Sequence, residues 1–166
     1  MKSTQWDSSW PQFVNSDTRQ ALLDFWEQRF GVPPAVFSPF DITASSRVTY
    51  LIRKSPHLAG LASLRITRVG LPFTRNAGRH LKPVTEAVQL FGSYATRNVV
   101  SMRLQDIVKL CREEELKLQL DTDSGFVFLE ENGYFWGCAL FLEPDRLICR
   151  LPKNIKKELI KLHSKT

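Results

Sequence analysis

From Leu120 onward the chain alternates short apolar runs with tight turns, and few folds accept that pattern. Gly125-Phe126-Val127-Phe128-Leu129 reads as a strand, Glu130 to Gly133 as a hairpin turn, and Tyr134 to Leu142 as the returning strand. Glu143 to Asp145 turns again, and Arg146 to Leu151 gives a third strand. Short strands at this spacing point to a small barrel. Pro152 stops the pattern, and Ile155 to Leu162 reads as a short basic helix. Just upstream, Asn98 to Met102 is strand-like. Leu104, Ile107, Val108 and Cys111 then recur at helical spacing, with Arg103, Lys109 and Arg112 around them.

The first half reads differently. Residues 1–16 form a polar, irregular arm whose Trp6, Trp10 and Phe13 pin it to the body. A helix follows: Asp17 and Thr18 cap it, Ala21, Leu22, Phe25, Trp26 and Phe30 share a face, and Gly31 ends it. Pro33-Pro34 blocks continuation and opens a short turn through Phe37. Phe40 to Arg53 reads as two strands around Ala44-Ser45-Ser46. Ser55-Pro56 starts a short helix over Leu58, Leu61 and Leu64, and Ile66 to Phe73 is a further strand. Ala77-Gly78 turns the chain, and a helix from Pro83 carries Val84, Ala87, Val88 and Phe91 up to Gly92.

The 166 residues suffice for one medium domain or two small ones. No Gly/Ser linker separates the halves, so residues 1–95 and 96–166 are expected to share an apolar interface and a fixed orientation. With 43 % hydrophobic and 24 % charged residues the chain is not disordered material. Cys111, Cys138 and Cys149 lack CxxC spacing, which fits buried thiols in a reducing compartment. The N-terminus lacks an apolar signal region, and no run approaches the ~20 apolar residues of a membrane span. A soluble cytoplasmic protein is expected, with no membrane partner and an open oligomeric state.

Charge is sorted along the chain. Residues 65–112 hold nine bases against Glu86 and Asp106, net +7. Residues 113–145 hold nine acids against Lys117, net −8, and residues 146–166 return to +6. Segregated blocks give a polarised surface field, and phosphate polymers answer such a field by releasing counterions. The expectation is that the two basic blocks meet on one RNA-binding face while the acidic block points elsewhere.

Three stretches carry a family likeness: Leu81-Lys82-Pro83-Val84-Thr85-Glu86-Ala87, Tyr94-Ala95-Thr96-Arg97-Asn98-Val99, and the Gly125 to Gly137 strand pair followed by Leu151-Pro152-Lys153. In this order they resemble the pre-PUA plus PUA proteins. Those include Nip-seven-type ribosome-biogenesis factors and the RNA-binding C-terminal region of RsmF-type rRNA cytosine methyltransferases. The resemblance spans Leu22 to Leu162. It implies an α+β protein: an α/β pre-PUA-like N-terminal half (residues 1–95) packed on a C-terminal PUA-like β pseudo-barrel (residues 96–166). It also implies binding of structured RNA, ribosomal RNA or its precursors, in ribosome biogenesis or RNA modification. By the same likeness Arg97 and Asn98 enter the barrel, Gly125 and Gly137 lie in its long hairpin, and Lys153, Lys156 and Lys157 contact RNA. Glu113-Glu114-Glu115 departs from the pattern, and no methyltransferase half is present: there is no Gly-rich cofactor loop and no Pro-Cys nucleophile motif.

The expected RNA-binding residues are therefore Arg75, Arg79, His80, Lys82, Arg97, Asn98, Arg103, Tyr134, Lys153, Lys156 and Lys157. Solvated cations covering apolar surface are the alternative for the basic set. Tyr134 is the candidate for stacking on a base, whereas Trp136 reads as core. His57, His80 and His163 lack any matched ligand spacing, so no metal, cofactor or catalytic residue is expected. Glu113 to Glu115, Glu130 and Glu131 read as a solvated acidic face, with nothing apolar beside them to raise a pKa. One rival function is a protein-interaction adaptor in which that face docks a ribosome assembly protein or an RNA methyltransferase, and a second is an enzyme with an RNA-processing site that no motif marks.

Overall fold

The structure is a computed structural model describing residues 12–58, 60, 69–77 and 80–163. It is a mixed α+β protein with two open sheets. Helix α1 (Ser16–Phe30) is followed by a 3-10 turn (Pro34–Phe37). Strands β1 (Phe40–Ala44), β2 (Val48–Arg53), β3 (Leu71–Ala77) and β4 (His80–Pro83) form an antiparallel sheet in that order. Helix α2 (Thr85–Phe91) leads to β5 (Val99–Ser101), α3 (Leu104–Glu113) and β6 (Glu115–Lys117). Strands β7 (Gly125–Glu131), β8 (Tyr134–Leu142) and β9 (Arg146–Cys149) and helix α4 (Lys153–His163) complete the chain. The second sheet has the order β5-β7-β8-β9-β6, with only the β5–β7 pair parallel.

Why β7 reads as an unbroken apolar run is clear from its two faces. Phe126 and Phe128 join one core with α1 and the first sheet, whereas Val127 and Leu129 join a second core under α3 and α4. A strand covered on both sides has no polar face to alternate with. Trp26 of α1 centres the first core. The rings of Phe30, Phe37, Phe73 and Phe128 lie 5.0–5.8 Å from it, so α1 contacts β3 of the first sheet and β7 of the second. Burying each such side chain contributes about 1.5–3 kcal/mol, which makes this shared core the main tie between the halves.

Hydrogen bonds add to it. Arg29, in the last turn of α1, donates through Nε to the Phe126 carbonyl at 2.9 Å and through Nη2 to the Asp123 carbonyl at 3.0 Å. Gly31 sits at φ +69°, the left-handed conformation that ends a helix at little cost only for glycine. The chain leaves there while the backbone N–H groups of Thr96 and Arg97 donate to the Phe30 carbonyl.

Several boundaries differ from the sequence reading. Asn15 caps α1, its side chain accepting from the Thr18 N–H at 2.8 Å, so the helix starts ahead of Asp17. Pro83 closes β4 opposite Thr74 rather than opening a helix, and Val84 takes the cap position of α2. Glu115 to Lys117 form a short edge strand within what reads as a solvated acidic face. The arm is described only from Gln12; Phe13 bridges Thr43, and Trp6 and Trp10 lie outside the described residues. The expected helix over Leu61 and Leu64, the start of the strand at Ile66, and the Gly78 turn lie outside them too.

Candidate nucleic-acid interface

The β3–β4 hairpin supplies the first cations. Arg75 and Lys82 are direct cross-strand partners and so project from the same face. His80 pairs with Ala77 and is exposed. Lys82 is half-buried, and its ammonium donates to the Arg150 carbonyl at 2.8 Å. Arg150 follows β9 directly and is exposed, and α4 begins three residues later at Lys153. One contact thus sets the hairpin of the first basic block against the start of the second. On α4, Lys153 and Lys157 stand one turn apart and exposed. Arg75, His80, Arg150, Lys153 and Lys157 have no side-chain partner among the described residues, whereas Arg79 lies outside them.

Four expected contacts are otherwise engaged. The Lys156 ammonium sits 2.6 Å from the Glu114 carboxylate with its side chain only 17 % exposed, so it leaves the candidate set. Burial works against its charge, but Glu114 and the nearby thiols outweigh that and hold its pKa above the ordinary lysine value. Asn98 also leaves the set. Its amide donates to the Arg29 carbonyl at 2.5 Å and its oxygen accepts from the Thr122 hydroxyl, while its backbone is held at φ +55°. It is a joint between α1 and β5. Arg97 donates to the Glu27 carbonyl at 3.0 Å, neutralising the C-terminal end of α1, and remains exposed. Arg103 pairs with Asp106 at 3.0 Å while 76 % exposed, a geometry worth little and easily exchanged for a phosphate.

The acidic block does not simply point elsewhere. Because β6 pairs with β9, Glu115 meets Arg146 through two bonds of 2.8 Å. That pairing lowers the Glu115 pKa and raises that of Arg146. Arg103, at the cap of α3, and Lys109 within it line, with Lys117, an open groove of about 630 Å3 between the sheet edges β5 and β6. The first basic block is therefore divided between the β3–β4 hairpin and this groove.

Tyr134 is 49 % exposed, and its ring lies 4.6 Å from that of Trp136 in an edge arrangement. The Gln89 amide donates to its hydroxyl at 3.2 Å. Trp136 is the extra residue of a β-bulge, since Glu130 faces Phe135 and Leu129 faces Gly137. The bulge keeps the indole beside Tyr134 and against the second core. Gln89 of α2 and Asn154 and Glu158 of α4 close around this pair. No sequence signal marks these three, because the elements that carry them are far apart along the chain.

Among the described residues no cluster of three His, Cys, Asp or Glu side chains is placed to hold a metal. His57, His80 and His163 are each exposed. No helix of the described residues is long and apolar enough to cross a membrane. The fold and site define an α+β protein with a cationic hairpin set against a basic terminal helix. Compared with known protein families and with curated proteins, the sequence matches none.

Proposed function

We propose that this protein binds structured RNA without catalysis, ribosomal RNA or its precursors, during ribosome biogenesis or RNA modification. On this reading residues 1–95 are a pre-PUA-like half and residues 96–166 a PUA-like pseudo-barrel whose open side lies between β5 and β6. The Lys82–Arg150 contact is the observation that carries the proposal. It supports a single footprint in which Arg75, Arg150, Lys153 and Lys157 meet backbone phosphates, with Arg97 and Arg103 as outlying contacts. Folded RNA is recognised mainly by shape and phosphate spacing, and such a surface suits that mode. Tyr134 adds a stacking platform at its border.

The test is fluorescence anisotropy of a labelled rRNA stem-loop titrated with protein from about 50 to 200 mM salt. A footprint of four phosphate contacts gives an affinity that falls with salt at a log–log slope of about −3 to −4. Salt-independent binding, or none, contradicts the reading. Partners recovered from RNase-treated lysate would favour the adaptor instead.

A further inference from the structure

Resting on that RNA reading, we infer that the pocket between α4 and the Tyr134–Trp136 pair takes one unpaired guanine base. Its volume of about 170 Å3 is too small for a drug-sized ligand, which needs about 300 Å3 or more, and suits one planar ring system. Two aromatic rings give it an apolar wall. Residues with polar side chains border it from two helices: Gln89 from α2, whose amide donates to the Tyr134 hydroxyl, and Asn154 and Glu158 from successive turns of α4. Asn154 and Glu158 have no side-chain partner among the described residues, so their hydrogen-bonding capacity is open to a ligand.

The carboxylate selects the base. Glu158 offers two adjacent acceptors and no donor. Guanine alone presents adjacent donors, N1–H and the N2 amino group, on its pairing edge. Adenine and cytosine would set a ring-nitrogen lone pair against the carboxylate. Uracil would flank its single N–H with carbonyl oxygens.

The rim then decides between a base and a cationic side chain, which the same rings and carboxylate would also attract. Lys157 and Lys161 lie three and seven residues after Asn154 on the solvent side of α4, and Lys153 stands one turn before Lys157. That rim repels a basic peptide and attracts a ligand carried on phosphates.

Four stem-loops differing only in one unpaired loop residue, G, A, C or U, and a fifth with inosine, test this at fixed salt. The G loop is expected to bind about tenfold more tightly than the others, with inosine intermediate because it lacks the N2 amino group. Tyr134→Ala should lose about tenfold on the G loop, as expected for a stacked base. Glu158→Gln should erase the G-over-inosine preference while keeping the salt slope. Both side chains are exposed, and melting curves check that the variants fold.

Equal binding of all five loops with a steep salt slope overturns the guanine inference and leaves the RNA reading standing. No binding of any loop overturns both. Displacement of RNA by an arginine-rich peptide from the wild type but not from Glu158→Gln reassigns the pocket to a basic peptide and overturns the inference.

Discussion

The ammonium of Lys82 and the carbonyl of Arg150 lie 2.8 Å apart, 68 residues distant along the chain. Lys82 reaches this carbonyl because β4 keeps it on the same face as Arg75. A charged donor on an exposed carbonyl contributes about 1 kcal/mol. Lys82→Met should therefore leave global stability nearly unchanged. Amide exchange should quicken selectively from Leu151 to Lys157, where the tether is lost. Unchanged exchange there would mean the contact does not hold the start of α4.

Gly92 lies directly against Phe135. A Cβ on it would come within 2.4 Å of the ring, and its backbone is ordinary helix, so the constraint is steric alone. Gly92→Ala should cost about 1–3 kcal/mol in urea unfolding, the usual toll of overpacking. In a Phe135→Leu background the added cost should shrink, giving a favourable coupling between the two changes. Strict additivity would rule out the contact.

Glu130 accepts from the Ser101 hydroxyl and the Gly133 N–H, tying β5 to the β7–β8 turn. These bonds, the hydroxyl first, hold its pKa below the ordinary 4.5. A depressed carboxylate contributes stability above its unfolded value and loses it as pH falls through the folded one. The difference in urea midpoint between wild type and Glu130→Gln should be full at neutral pH and close below about pH 4. A gap that persists at pH 3 would assign the effect to something other than charge.

The three thiols are buried, and Cys111 and Cys149 stand 4.0 Å apart. Burial pushes Cys138 up to about 11. The contact with Cys111 lowers the Cys149 thiol. With side chains this enclosed, alkylation at pH 7.5 should follow opening of the structure, not thiolate content. All three should resist iodoacetamide until denaturant is added. Rapid labelling of Cys149 alone in the native protein would place it at a surface.

Parts of this architecture are legible in the chain. The stripe from Leu22 to Phe30 with Gly31 behind it gives α1, and the Gly125 to Leu142 hairpin announces itself by turn chemistry. Strand β6 is not legible, because three residues with two charges carry no period. Strand β4 is masked by Pro83, whose missing N–H serves a strand end as well as a helix start. Among site residues, Lys156 could have been separated from Lys153 and Lys157 by helical phase. Ile155 and Leu159 mark the buried stripe, and Lys156 flanks it on the α3 side. The Lys82–Arg150 contact and the grouping of Gln89, Tyr134 and Glu158 depend on how distant elements pack, which no local pattern encodes.

The salt dependence of RNA binding in two double variants tests the shared footprint most directly. Arg75→Ala with Arg150→Ala, and Lys153→Ala with Lys157→Ala, should each flatten the log–log slope by about two units on the same stem-loop. Combining all four changes should leave binding nearly independent of salt. If either pair leaves both slope and affinity at wild-type values, the hairpin and the terminal helix do not share one ligand.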